Sequence, residues 1–98
     1  MLAQIVRFKS ALSDAEILET YASRASRYKE LEGLIQKYYM RFPATGEYGA
    51  VYLWESEDDL QRFRESDLAR TIPEAHRVQG DPDVQLAEIV LVLHPRSV

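Results

Sequence analysis

Three extended segments of this chain, Leu34–Phe42, Ala50–Trp54 and Val84–Leu93, carry apolar or aromatic side chains in both alternation registers. Leu34/Ile35, Tyr38/Tyr39, Val51/Tyr52, Leu53/Trp54, Ile89/Val90 and Leu91/Val92 are chain neighbours. Neighbours on a strand point to opposite faces of the sheet. A sheet built from these segments is therefore apolar on both sides, and each side needs a covering layer.

The helices decide how many layers the chain can supply. Ser13 reads as a helix N-cap, with Glu16 three residues on completing a capping box and Asp14 adding first-turn charge. Ile17, Leu18, Tyr21, Ala22, Ala25 and Tyr28 follow at spacings that form one apolar stripe. Arg24, Arg27 and Lys29 sit toward the C-terminal end, where the helix dipole favours cations. Ser56 caps a second, shorter helix with Leu60 and Phe63 as its apolar contacts. Ser66 starts a further turn through Ala69 to Ile72, which Pro73 limits.

Leu2–Lys9 reads as a first strand, Gly33 as a break, Pro43–Gly49 as a turn region, and Glu74–Pro82 as irregular polar chain. Pro95 ends the last strand. The order is β-α-β-β-α-β. It predicts an α+β, ferredoxin-like antiparallel sheet with both helices on one face, as one domain over 1–98. Two helices cover one face only. A second copy packed face to face, a homodimer, is the economical cover for the other. The alternative is a monomer with an exposed apolar sheet face.

Several function classes are disfavoured. The net charge is −4, which argues against nucleic acid as a partner. Gly46–Trp54 echoes the central signature of RNA-recognition motifs, but Glu47 stands where a basic residue belongs. Cysteine is absent, so thiolate chemistry and Cys-ligated zinc are excluded. The N-terminus lacks a signal-peptide pattern, and Ile89–Leu93, the longest apolar run, is too short to span a bilayer. These features predict a cytoplasmic protein without a membrane partner. Motifs for nucleotides, phosphates or metals are missing, and His76 and His94 are far apart.

The remaining candidates are few. Ser13, Ser56 and Ser66 have caps to explain them, and Glu55, Glu57, Asp58 and Asp59 suit a helix start. His76 is the titratable residue of most interest, since imidazole exchanges a proton near neutral pH. It equally fits an exposed loop position. Tyr52 and Trp54 share a face, which Tyr38 can join across the hairpin. They suit the wall of an apolar pocket that orients a ring-shaped ligand, and equally plain core or dimer interface. The sequence leaves open which face they occupy.

Gly33-Leu34-Ile35-Gln36-Lys37-Tyr38-Tyr39 and Gly46-Glu47-Tyr48-Gly49-Ala50-Val51-Tyr52-Leu53-Trp54-Glu55-Ser56 together resemble the YdhR-like monooxygenases. These belong to the antibiotic-biosynthesis-monooxygenase-like group of dimeric α+β barrels. The resemblance implies a homodimer with a pocket between each sheet and its helices. It also implies oxidation of a small phenol or quinol by O₂ without a cofactor, because the substrate itself supplies the electrons. In that picture His76 is the base or proton shuttle, and Tyr38, Tyr52 and Trp54 are pocket walls. A non-catalytic small-ligand-binding or stress-response protein is the alternative from another class. A haem-degrading branch uses a first-strand Asn, a third-strand Trp and a His after the second helix. Trp54 and His76 match two of these, but Leu2–Phe8 contains no Asn.

Overall fold

A computed structural model describes residues 1–94. Its elements run β1 (Leu2–Ser10), α1 (Asp14–Lys29), β2 (Leu34–Phe42), β3 (Glu47–Trp54), α2 (Glu57–Arg64), α3 (Asp67–Arg70), α4 (Ile72–Ala75) and β4 (Val78–Glu88). The strands form one antiparallel sheet in the order β2-β3-β1-β4. This is the ferredoxin-like β-α-β-β-α-β arrangement, with the last helical segment broken into three short pieces.

The helix starts form as their side chains dictate. The Ser13 hydroxyl accepts from the Glu16 backbone N–H at 3.2 Å, and the Glu16 carboxylate accepts from the Ser13 N–H at 2.9 Å. Ser56 and Ser66 each accept from the N–H three residues on. Asp59 accepts from the Ser56 hydroxyl and from Arg62, so this acidic residue serves the helix start. Gly33 takes φ +81°, and a Cβ there would lie 2.1 Å from the Asp59 side chain. Only glycine meets both demands.

Three sequence expectations shift. On α1 the buried positions are Ile17, Arg24 and Tyr28, while Leu18 is 66% exposed. Arg24 lies too far from the end of α1 to serve its dipole. Pro73 sits in the first turn of α4, where its missing N–H costs no helical bond. The third change concerns β4, which occupies Val78–Glu88, not Val84–Leu93. The free edge of β1 supplies backbone partners from Ser10↔Val78 to Leu2↔Glu88, so polar Gln79, Asp81 and Asp83 are drawn into the strand. A register shift between Arg7 and Lys9 accommodates the irregularity opposite Gly80 and Pro82, and β4 is an edge strand that tolerates a proline. Past Glu88 the partner strand runs out. Ile89 still donates to the Met1 carbonyl, and then Val90, Leu91 and Leu93 stand 91%, 81% and 81% exposed. Pro95 lies outside the described residues.

Register fixes the two faces of the sheet. Gln4, Val6 and Phe8 of β1, Tyr48, Ala50, Tyr52 and Trp54 of β3, and Lys37 and Tyr39 of β2 face the helices. Ala3, Ile5, Tyr38, Met40, Val51 and Leu53 share the opposite face, where Tyr38 is 47% exposed. Burial under the helices gathers into two clusters. Tyr28, Ala50, Tyr52, Trp54, Leu60, Phe63 and Leu68 pack at one end, and Phe8, Ile17 and Tyr48 at the other. Among the described residues, no helix is long and apolar enough to cross a membrane.

Candidate functional site

Between sheet and helices lies a cavity of about 240 Å³ whose lining draws on both clusters. The sheet gives it Gln4, Val6, Phe8, Lys37, Ala50, Tyr52 and Val84, and α1 gives Tyr21 and Tyr28. Phe63, Ile72 and His76 close it from the segment between β3 and β4. The surface is chiefly apolar, interrupted by a few polar groups, which is the usual composition of a small-molecule site.

His76 is 4% exposed and stands at the C-terminal end of α4. Its ring lies 5.9 Å from Phe8 and 5.5 Å from Tyr21, centroid to centroid. Nδ1 is 2.9 Å from the Ile72 carbonyl oxygen. That oxygen can only accept, so Nδ1 carries the hydrogen and Nε2 is left as the basic nitrogen. Burial holds the imidazole below its ordinary pKa of 6.5. The Ile72 hydrogen bond opposes this, and the charges of Arg24 and Lys37 add to it. The His76 carbonyl accepts from the Ser10 hydroxyl at 2.5 Å, and the next residue, Arg77, takes φ +45° while its carbonyl accepts from the Ala11 N–H. The end of β1 thus holds the turn that carries the imidazole.

The aromatic candidates separate. Tyr52 lines the cavity, is 4% exposed, and has its pKa pushed well above the ordinary 10 by burial and then by the neighbouring tyrosines. Trp54 shares its face, as alternation predicts, but lies behind it. The two rings stack at 6.0 Å with 7° between planes, and the indole N–H donates to Gln4 at 3.0 Å. Trp54 is fully buried and is absent from the cavity lining. Tyr38 is a correction. It pairs with Val51 and points to the open face, because β2 registers Lys37, not Tyr38, against Tyr52.

Residues not singled out in the sequence complete the site. The Lys37 Nζ sits over three rings, 3.5 Å from the centroid of Tyr28, 4.4 Å from Tyr39 and 4.5 Å from Tyr52. Desolvation, with the charge of Arg24 second, draws its pKa from 10.5 to about 7. Arg24 is 9% exposed and donates to the Leu68 carbonyl at 2.7 Å and to Thr71 at 3.1 Å. The Arg24 Nε and the Tyr21 hydroxyl are buried without a hydrogen-bond partner. Alternation already placed Lys37 beside Tyr39 on one face of an aromatic-rich strand, and that was the available signal. Arg24 gave none, since its position also suited an exposed helix end.

Haem does not fit these residues. His76 lines the cavity while Trp54 does not, and about 240 Å³ falls below even the usual ~300 Å³ lower bound for drug-sized ligands.

A ferredoxin-like sheet with its helices on one face is the fold class shared with solved structures named as antibiotic biosynthesis monooxygenases. SnoaB, a cofactor-independent oxygenase from Streptomyces nogalater, superimposes with a TM-score of 0.76 at 18% identity, covering 97% of each chain. A protein of unknown function from Nitrosomonas europaea, NE2512, gives 0.78 at 17% identity, covering 98% of this chain and 95% of that one. A "putative antibiotic biosynthesis monooxygenase" from Caulobacter crescentus CB15 gives 0.78 at 19%, covering 92% and 90%. At such identities these likenesses establish the fold. No curated protein matches the sequence. The family model described as "Putative mono-oxygenase ydhR" matches residues 3–79, and the chain belongs to that family.

Proposed function

We propose that this protein is a cofactor-independent monooxygenase that oxidises a small phenol or quinol in the cavity between sheet and helices. The observation that carries this reading is His76, a buried imidazole with Nδ1 committed to a carbonyl, on the wall of an apolar cavity sized for about one aromatic ring. Membership of the mono-oxygenase family supports the reaction class. The resemblance of the fold to SnoaB supports the cofactor-free route.

The chemistry asks little of the protein. His76 Nε2 takes the phenolic proton, and the resulting anion is electron-rich enough to reduce O₂. One oxygen atom enters the ring and the other leaves as water, so that phenol plus O₂ gives quinone plus water. Aromatic walls exclude bulk water from the reacting anion. Tyr52 acts as a wall, and Trp54 holds Tyr52 in place by stacking on it. Tyr38 belongs to the second part of the proposal, the sheet-to-sheet homodimer.

The test is oxygen uptake by purified, metal-stripped protein across quinols and polyhydroxylated aromatics, with catalase and superoxide dismutase controlling autoxidation. Protein-dependent uptake is expected. No uptake across the panel would leave a dimeric small-ligand-binding protein in its place.

A further inference from the structure

The charged side chains that line the cavity are Lys37, Arg64 and Arg70, and among the described residues no carboxylate lines it. Lys37 presents its amine to the cavity over three tyrosine rings. Arg24 acts electrostatically on Lys37, Tyr39 and His76 from behind that wall. Among the described residues, neither Lys37 nor Arg24 has a carboxylate within ion-pairing distance. The buried Tyr21 hydroxyl and the Arg24 Nε also lack partners. Burying cations and donors with no counter-charge is costly, and the cost is relieved when an anion arrives.

We propose that the cavity is a site for an aromatic anion, with the ligand's charged oxygen paired to the Lys37 ammonium and its ring held against Phe8 and His76. This rests on the reading above only in using the same cavity. It narrows the ligand to an aromatic whose negative oxygen sits on or next to the ring, a phenolate or a benzoate. The tyrosine rings serve Lys37 in two ways. They attract its ammonium through their faces, and they keep water from screening it. With the amine drawn to about 7 when the cavity is empty, an arriving anion restores its full charge. The groups that share its field are Arg24, Tyr28, Tyr39, Tyr52 and His76.

4-Nitrophenol reports the state directly, because its phenolate absorbs at longer wavelength than the neutral phenol. At a slightly acidic pH where the free probe is mostly neutral, titration with the protein under argon is expected to raise the phenolate band, the released proton passing to buffer. The uncharged ether 4-nitroanisole, of similar shape, is expected to bind at least tenfold more weakly. Lys37→Met is expected to abolish the band and to bind the two probes alike, and Lys37→Arg to retain the band. Equal affinity of the wild type for both probes, or no phenolate band at saturating protein, overturns the proposal even if Lys37→Met does not fold. Oxygen consumption plays no part in the measurement, so a protein that fails to oxidise quinols can still pass, and one that oxidises them can still fail.

Discussion

At the scale of single residues, the cavity trades stability for charge. The Lys37 amine is held at about 7 in the fold and at its ordinary 10.5 when unfolded. Above 10.5 both states are neutral and no penalty exists. As pH falls from 10.5 toward 7 the unfolded chain takes up a proton that the folded chain refuses, so stability is lost over that window and is constant below it. Lys37→Met is therefore expected to be more stable than wild type at pH 7, with the gap closing as pH rises toward 10. Thermal melts of both proteins across that range check it, and a gap independent of pH would refute it. His76, depressed below 6.5 mainly by burial, works in the same direction at lower pH. Its neutral form stabilises the fold above 6.5, and that contribution is lost as pH drops through 6.5 toward the lower folded value. For turnover, His76→Ala is expected to lower quinol oxidation by about a hundredfold, the ordinary loss for a general base. Unchanged turnover would remove His76 from that role.

At the scale of elements, most of the fold was legible because its signals are local. Capping serines, acidic first turns and alternation need only a few neighbouring residues to be read, and Ser13, Ser56 and Ser66 all cap as written. Ser13→Ala is expected to cost about 1 kcal/mol. Gly33→Ala should cost more, because it adds left-handed backbone strain to a collision with Asp59. Denaturant midpoints of the two variants rank them. What the sequence concealed were matters of partnership. The bounds of β4 depend on how much of β1 remains to pair, a length set 86 residues away in the chain for Glu88 opposite Leu2. The pocket was half legible for the same reason. Tyr52 and Trp54 were correctly put on one face, but a register of β2 against β3 decides that Lys37 and not Tyr38 joins them. Arg24 was unreadable, since the groups that tie it down lie on α3 and just beyond it.

For the whole molecule, the open sheet face carries the same argument the sequence did, on firmer ground at β1, β2 and β3 and on weaker ground at β4. Ala3, Ile5, Tyr38, Met40, Val51 and Leu53 form an apolar surface with no layer above it among the described residues. Such a face calls for a partner. Sedimentation at micromolar concentration is expected to give a dimer, and Val51→Lys, at the middle of that surface, a folded monomer. A wild-type monomer would end the argument for sheet-to-sheet pairing. The cavity lies on the other side of the sheet, so Val51→Lys should still bind 4-nitrophenolate.

The hydroxyl of Ser10 gripping the carbonyl of His76 has a further consequence. The backbone of the residue that carries the imidazole is tied to the end of a sheet strand, while the ring itself rests on the Ile72 carbonyl of α4. Phe63 and Ala69 line the cavity from α2 and α3, which make neither of these bonds. Substitutions there can reshape what the cavity accepts while leaving the proton acceptor where it is, so a library confined to Phe63 and Ala69 is the natural place to look for altered substrate range at constant chemistry.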